Sequence, residues 1–125
     1  MRIKEIMKET LTISSKISIK DAAKEMADNE IGSLVVVEAN KVVGILTEGD
    51  IIRNISNLKE KISEIMSEQV VSIDEDENID DAAELMAKNK IKHLPVTNGE
   101  EIVGIITTSD LIKHCEDLNE DFFLD

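Results

Sequence analysis

The chain contains one unit twice, and this constrains its fold more than any other feature. At an offset of 60 residues, Asp21-Ala22-Ala23 returns as Asp81-Ala82-Ala83, Met26-Ala27 as Met86-Ala87, and Asn29-x-Ile31 as Asn89-x-Ile91. Further on, Val43-Gly44-Ile45-x-Thr47-x-x-Asp50 returns as Val103-Gly104-Ile105-x-Thr107-x-x-Asp110. Upstream, Ile3-x-Glu5-Ile6-Met7 matches Ile62-x-Glu64-Ile65-Met66 at an offset of 59, so one residue was gained or lost in the turn that follows. A fixed-period repeat marks a supersecondary unit that cannot bury its apolar face alone. With 125 residues there is room for one compact domain or two small modules sharing a core, not for two ordinary domains. The expected division is residues 1–58 and 59–125.

Each copy reads in the same order. A short entry helix leads to a brief extended segment, over residues 11–13 or 70–73. An amphipathic helix follows, with apolar residues at i, i+3, i+4 and i+7: Ile19, Ala22, Ala23 and Met26, then Ile79, Ala82, Ala83 and Met86. Ser18 with Asp21, and Asn78 with Asp81, supply an N-cap and a first-turn acid. Two β-rich runs come next, 33–37 with 42–47 and 93–97 with 102–107, joined by connectors short enough for antiparallel hairpins. A final helix is expected to run through Ile51, Ile52 and Ile55, or Leu111, Ile112 and Cys115. The expectation is an α/β (α+β) fold of tandem β-α-β-β-α repeats. Its two small three-stranded sheets should pack about a pseudo-two-fold axis, leaving clefts between the copies.

Charge is divided unevenly between the copies. Residues 1–61 carry ten basic and ten acidic side chains, whereas 62–125 carry four and seventeen, so the whole net charge of −13 falls in the second half. Such a balance repels phosphate backbones and anionic headgroups, which argues against nucleic acid or a membrane surface as partner. Eleven of those seventeen acids lie in residues 74–81 and 116–125, however, while Lys88, Lys90 and Lys92 cluster within five positions. One cysteine excludes an intramolecular disulfide, and no apolar run approaches the roughly 20 residues of a membrane span. With no secretory signal in the first residues, a cytoplasmic location is expected.

The ordered set of an Asp-Ala-Ala-x-x-Met helix, an Ile-x-x-Leu-x-Val strand and a Gly-h-h-Thr-x-x-Asp junction (h, apolar), repeated at constant offset, resembles a CBS-domain pair, the Bateman module. The resemblance covers residues 3–116. It implies a stand-alone, non-enzymatic, ligand-sensing module that binds an adenosine nucleotide of the AMP, ADP or ATP class between the two CBS domains. It also implies a homodimer and an unknown downstream protein that reads the signal. Alternatives are an S-adenosylmethionine or NAD(H) binder, or a homodimeric scaffold whose clefts no longer bind.

Thr47 and Asp50, like Thr107 and Asp110, sit where a strand gives way to a helix, and a carboxylate there can accept two hydrogen bonds from a ribose cis-diol. The same residues serve equally as an N-cap and a first-turn acid, and both roles can hold at once. In the second copy, Ile91-Lys92-His93-Leu94-Pro95-Val96 resembles the family stretch whose basic residues reach nucleotide phosphates; the first copy has Ile31-Gly32-Ser33-Leu34-Val35-Val36, without a positive side chain. The expectation is therefore a phosphorylated ligand near Lys92 and His93, and an empty site or a less charged ligand near Ser33. With no Trp or Tyr and both Phe in the tail, adenine would lie among aliphatic side chains such as Ile13, Ile73, Leu94 and Ile105.

Enzyme chemistry lacks its parts. No Gly-x-Ser-x-Gly, glycine-rich phosphate loop or metal-ligand pair at useful spacing occurs. His114 and Cys115 are adjacent on an expected helix and so point about 100° apart, a poor chelate, and Cys115 is expected in that helix's apolar face. The acidic run from Asp74 has Ile79 where an EF-hand needs Gly and Leu85 where it needs Glu, so no calcium loop is expected. Phe122-Phe123-Leu124 in the tail reads as a frayed end or as a contact to a neighbouring subunit.

Overall fold

The computed structural model describes residues 1–117. Two compact units form. The first comprises Thr10–Val70; the second joins Met1–Glu9 to the described residues from Val71 onward. The sequence copies and the folded units therefore differ at their edges, because each entry segment is built into the unit of the other copy.

In the first unit, β1 (Thr12–Ser14) pairs in parallel with β2 (Ser33–Glu38), and β2 pairs antiparallel with β3 (Lys41–Thr47). Helix α1 (Ile19–Asn29) makes the crossover that a parallel pair requires. Ser18 caps it, its hydroxyl accepting from the Asp21 N–H at 3.0 Å. The helix ends at Glu30, whose left-handed φ of 52° closes the last turn onto the carbonyls of Met26 and Ala27. The β2–β3 hairpin turns on Ala39 and Asn40, both at positive φ, as a two-residue primed turn needs. Helix α2 (Glu48–Arg53) follows β3 directly.

The second unit repeats this plan with β4 (Ile73–Asp74), α3 (Ile79–Asn89), β5 (His93–Asn98), β6 (Glu101–Thr107) and α4 (Thr108–Lys113), in the sheet order β4-β5-β6. The expected β-α-β-β-α order holds in both copies. The final helices are shorter than the sequence suggests: α2 ends at Arg53 and α4 at Lys113. Cys115 consequently falls in a short 3-10 turn and is exposed instead of packed. The entry segments are likewise single 3-10 turns, Ile3–Glu5 and Ile62–Glu64. Phe122, Phe123 and Leu124 lie outside the described residues.

Each unit buries its own core. In the first, Ile19, Ala22, Met26, Leu34, Val36, Leu46 and Ile51 close around Ile62; in the second, Ile73, Ile79, Ala82, Met86, Leu94, Val96, Ile106 and Leu111 close around Ile3. Ile3 and Ile62 are fully buried, and burying one such side chain is worth roughly 1.5–3 kcal/mol. Backbone bonds hold the exchanged segment in place: Ile3 N donates to Glu77 O at 2.9 Å, Lys4 N to Glu75 O at 3.0 Å, and Ile79 N to Met1 O at 3.0 Å. Lys8 and Ile105 exchange both backbone bonds, at 3.0 and 2.9 Å, as Ser67 and Ile45 do in the first unit.

These crossings explain two glycines. A Cβ on Gly104 would stand 2.8 Å from the Lys8 carbonyl oxygen and 2.8 Å from Met7 Sδ. One on Gly44 would meet Met66 Sδ at 2.7 Å and the Ser67 carbonyl oxygen at 2.9 Å. The glycine of each Val-Gly-Ile strand is thus the place where the entry segment passes over the sheet.

Candidate ligand-binding site

Both Thr-x-x-Asp motifs form the same closed junction. Thr107 donates to Asp110 Oδ2 twice, from its N–H at 2.9 Å and its hydroxyl at 3.0 Å, while the hydroxyl accepts from the Asp110 N–H at 3.4 Å. Thr47 and Asp50 repeat the pattern at 2.9, 3.1 and 3.3 Å. The capping role is therefore realised in both copies, with Oδ2 of each carboxylate committed to it. The remaining oxygen, Oδ1, meets a cation in each case, and here the copies part. Lys8 Nζ lies 2.9 Å from Asp110 Oδ1, whereas Arg53 Nη2 lies 2.6 Å from Asp50 Oδ1, one helical turn along α2.

The environments differ too. The Asp110 side chain is only 4% exposed and that of Asp50 15%. Burial by itself raises the Asp110 pKa, but the hydrogen bonds from Lys8 and Thr107 outweigh it and hold the carboxyl below its usual value. Asp110 is thus an ionised, nearly buried carboxylate with one oxygen held by a side chain that can move.

Strand register decides which expected site residues gather at these junctions. His93 lies opposite Thr107 across the β5–β6 ladder, and Ser33 opposite Thr47 across β2–β3. The Lys92 carbonyl accepts from Thr108 N at 3.1 Å, and the Gly32 carbonyl from Glu48 N at 3.0 Å. Lys92, His93, Thr107 and Asp110 therefore form one group, and Ser33, Thr47 and Asp50 the other. Lys92 is exposed, His93 half-buried and Ser33 buried.

The aliphatic set behaves differently. Leu94 is fully buried in the second unit's core with Val96, because alternate residues of β5 face opposite ways. Its side chain is fully covered by this core. Ile73 packs in the same core and edges the surface beside α3, while Ile13 is half-buried against the core of the first unit. Both lie on the strand beyond the hairpin, Ile73 opposite Val96 and Ile13 opposite Val36, three positions from His93 or Ser33.

Two residues were missed by the sequence reading. Arg53 stands three positions from Asp50 on one helix, a legible i,i+3 pair. Lys8 could not be found in this way, since 102 residues separate it from Asp110 and only the exchange of entry segments unites them.

Elsewhere on the second unit, an open groove of about 460 Å³ is lined by Asp74, Glu77, Asp81 and Glu84 beside Lys88. A hydrogen bond with Asp81 and the repulsion between the two carboxylates push the Glu77 pKa up. So acidic a surface repels phosphates. Among the described residues no group of three or more His, Cys, Asp or Glu side chains could hold a metal ion, and no helix is long and apolar enough to cross a membrane.

Known proteins share this arrangement. The CBS domain pair of protein MJ0100, crystallised with 5′-methylthioadenosine and S-adenosyl-L-methionine, superposes with a TM-score of 0.87 at 35% identity, over 94% of this chain and 97% of that one. Uncharacterized protein MJ1232 of Methanocaldococcus jannaschii is 37% identical over 108 residues, 86% of this chain but only 36% of the relative, so the chain spans about a third of that protein. The CBS domain-containing protein YhcV of Bacillus subtilis is 33% identical over 82% of this chain and 76% of its own length. The family model of the CBS domain matches residues 3–57 and again 62–117. Those two matches take in both entry turns, both sheets and both Thr-x-x-Asp junctions, and the chain accordingly belongs to the CBS-domain family, with two such domains in tandem.

Proposed function

We propose that this chain is a non-enzymatic regulatory module that binds an adenosine nucleotide of the AMP, ADP or ATP class and passes its occupancy to a downstream protein. The observation that carries the proposal is the Asp110 junction: a nearly buried carboxylate held by Thr107 and Lys8, with His93 opposite Thr107 across the ladder and Lys92 next to it in the chain. A ribose diol is matched by the carboxylate and a phosphate by the basic groups. Ligand binding would act by differential affinity for two arrangements of the chain, since a ligand that binds both equally shifts nothing.

A second reading, a thioether or sulfonium nucleoside such as 5′-methylthioadenosine or S-adenosylmethionine, is favoured for the Asp50 junction. Ser33 and Ser67 stand there in place of His93 and Lys8, and the MJ0100 pair carries these ligands in its crystal. We also propose a homodimer, supported by isoleucines that present apolar surface on the short helices: Ile52 at 68% exposure and Ile112 at 72%.

A thermal-shift panel of AMP, ADP, ATP, S-adenosylmethionine, 5′-methylthioadenosine and NADH tests the reading. Ligand at 100 times its dissociation constant should add about 2.7 kcal/mol of stability. Silence across the panel would favour a scaffold. A shift with AMP, ADP or ATP that survives both Asp110→Ala and Lys92→Ala would overturn the site assignment.

A further inference from the structure

Lys8 is placed in a way that no packing requirement explains. Its backbone is fixed by the paired bonds to Ile105, yet its side chain remains 52% exposed while its ammonium covers Asp110 Oδ1. A rigidly anchored lysine with a half-exposed, flexible stem can exchange one anionic partner for another within its reach at little cost to the fold. A neutral diol that donated to Oδ1 would compete with that ammonium, which would then be left to find a new anion. A ligand that carries its own anion resolves the conflict, whereas an uncharged nucleoside does not.

The first unit provides an internal comparison. Ser67 occupies the position of Lys8, with the same reciprocal backbone pairing to Ile45, and Asp50 Oδ1 is held instead by Arg53 from its own helix. The copies thus share the capping geometry and differ in what the entry segment delivers to it. We propose that Lys8 is a specificity-determining residue of the Asp110 junction, yielding Oδ1 to a ligand diol and pairing with the ligand's anionic group, so that this junction selects phosphorylated over uncharged nucleosides. The inference rests on the reading that Asp110 receives a ribose diol.

Calorimetric titration of the full chain with AMP and with adenosine, which differ only in the phosphate, tests it on the wild type, Lys8→Ser, Lys8→Arg and Ser67→Lys. Loss of one charge-assisted contact should weaken AMP by about tenfold in Lys8→Ser, while adenosine, freed of the competing ammonium, should bind at least as tightly as to the wild type. Lys8→Arg should retain most of the preference, and Ser67→Lys should raise the AMP preference of the other junction. An unchanged ratio of AMP to adenosine affinity in Lys8→Ser, or an equal loss for both ligands, would overturn the role of Lys8 while leaving nucleoside binding intact. If the wild type bound neither ligand, the functional reading would fall together with this one.

Discussion

Replacing Gly104 with alanine should unseat the entry segment from β6, and the sign of the effect is the test. In a strand interior with open space above it, glycine to alanine stabilises by about 0.5–1 kcal/mol through lost chain entropy. Here the new methyl would lie 2.8 Å from Met7 Sδ, 3.0 Å from Met7 Cγ and 2.8 Å from the Lys8 carbonyl oxygen. Met7 can change rotamer. The Lys8 oxygen cannot retreat without breaking its 2.9 Å bond from Ile105 N and disturbing the 3.0 Å return bond. Overpacking costs about 1–3 kcal/mol, and each backbone bond lost adds about 1 kcal/mol. The expected destabilisation is about 2–4 kcal/mol, or roughly 8–16 °C in Tm at about 4 °C per kcal/mol for a chain of this size. Urea and thermal unfolding followed by circular dichroism would measure it. Met7→Ala in the same background should recover only the sulfur's share of the loss. Gly49→Ala is the control, because the nearest atom to its Cβ is the flexible tip of Arg53 at 3.2 Å; it should change stability by no more than about 0.5–1 kcal/mol. A Gly104→Ala protein as stable as the wild type would refute the crossing of the segment over β6.

Two further outcomes are expected. The Asp110 pKa is lower in the folded protein than in the unfolded chain, so its contribution is fully present above the ordinary carboxylate value near about 4 and is lost as pH falls through the folded value. The stability difference between wild type and Asp110→Asn should therefore shrink on acidification; a difference that stayed constant or grew would contradict the Lys8 and Thr107 contacts. Ile52→Glu with Ile112→Glu should reduce the mass seen by light scattering from dimer to monomer, and a wild type that is monomeric at every concentration would rule out the homodimer.

Local pattern carried most of the fold. The i, i+3, i+4, i+7 spacing from Ile19 and from Ile79 located α1 and α3, with Ser18 and Asn78 at their starts, and β-rich runs with short connectors located the two hairpins. Each of these signals is decided within about a dozen residues, by side-chain period and capping. The pairing of Thr107 with Asp110 is of the same kind and was legible. The lengths of α2 and α4 were not: Ile52, Ile55 and Ile112 continue an apolar pattern but remain exposed, and apolar character does not state whether a partner covers a face.

By itself, then, the sequence determined the repeated β-α-β-β-α unit, the strand-to-helix junctions and the uneven distribution of charge. Only the tertiary structure decided which entry segment serves which unit. Ile3 and Ile62 are equivalent in the repeat and each could fill either core; nothing local distinguishes the two choices. The choice follows from where the chain leads: Ile19 N and Lys20 N bond to the carbonyls of Glu60 and Leu58, holding the inter-repeat segment on the first unit, and Met1–Glu9 completes the second. That exchange is what sets Lys8 against Asp110 and Ser67 beside the first unit's β3. Two junctions with one motif thereby acquire different electrostatic surroundings, because a cation reaches Asp110 across 102 residues of chain while Asp50 takes its cation from its own helix.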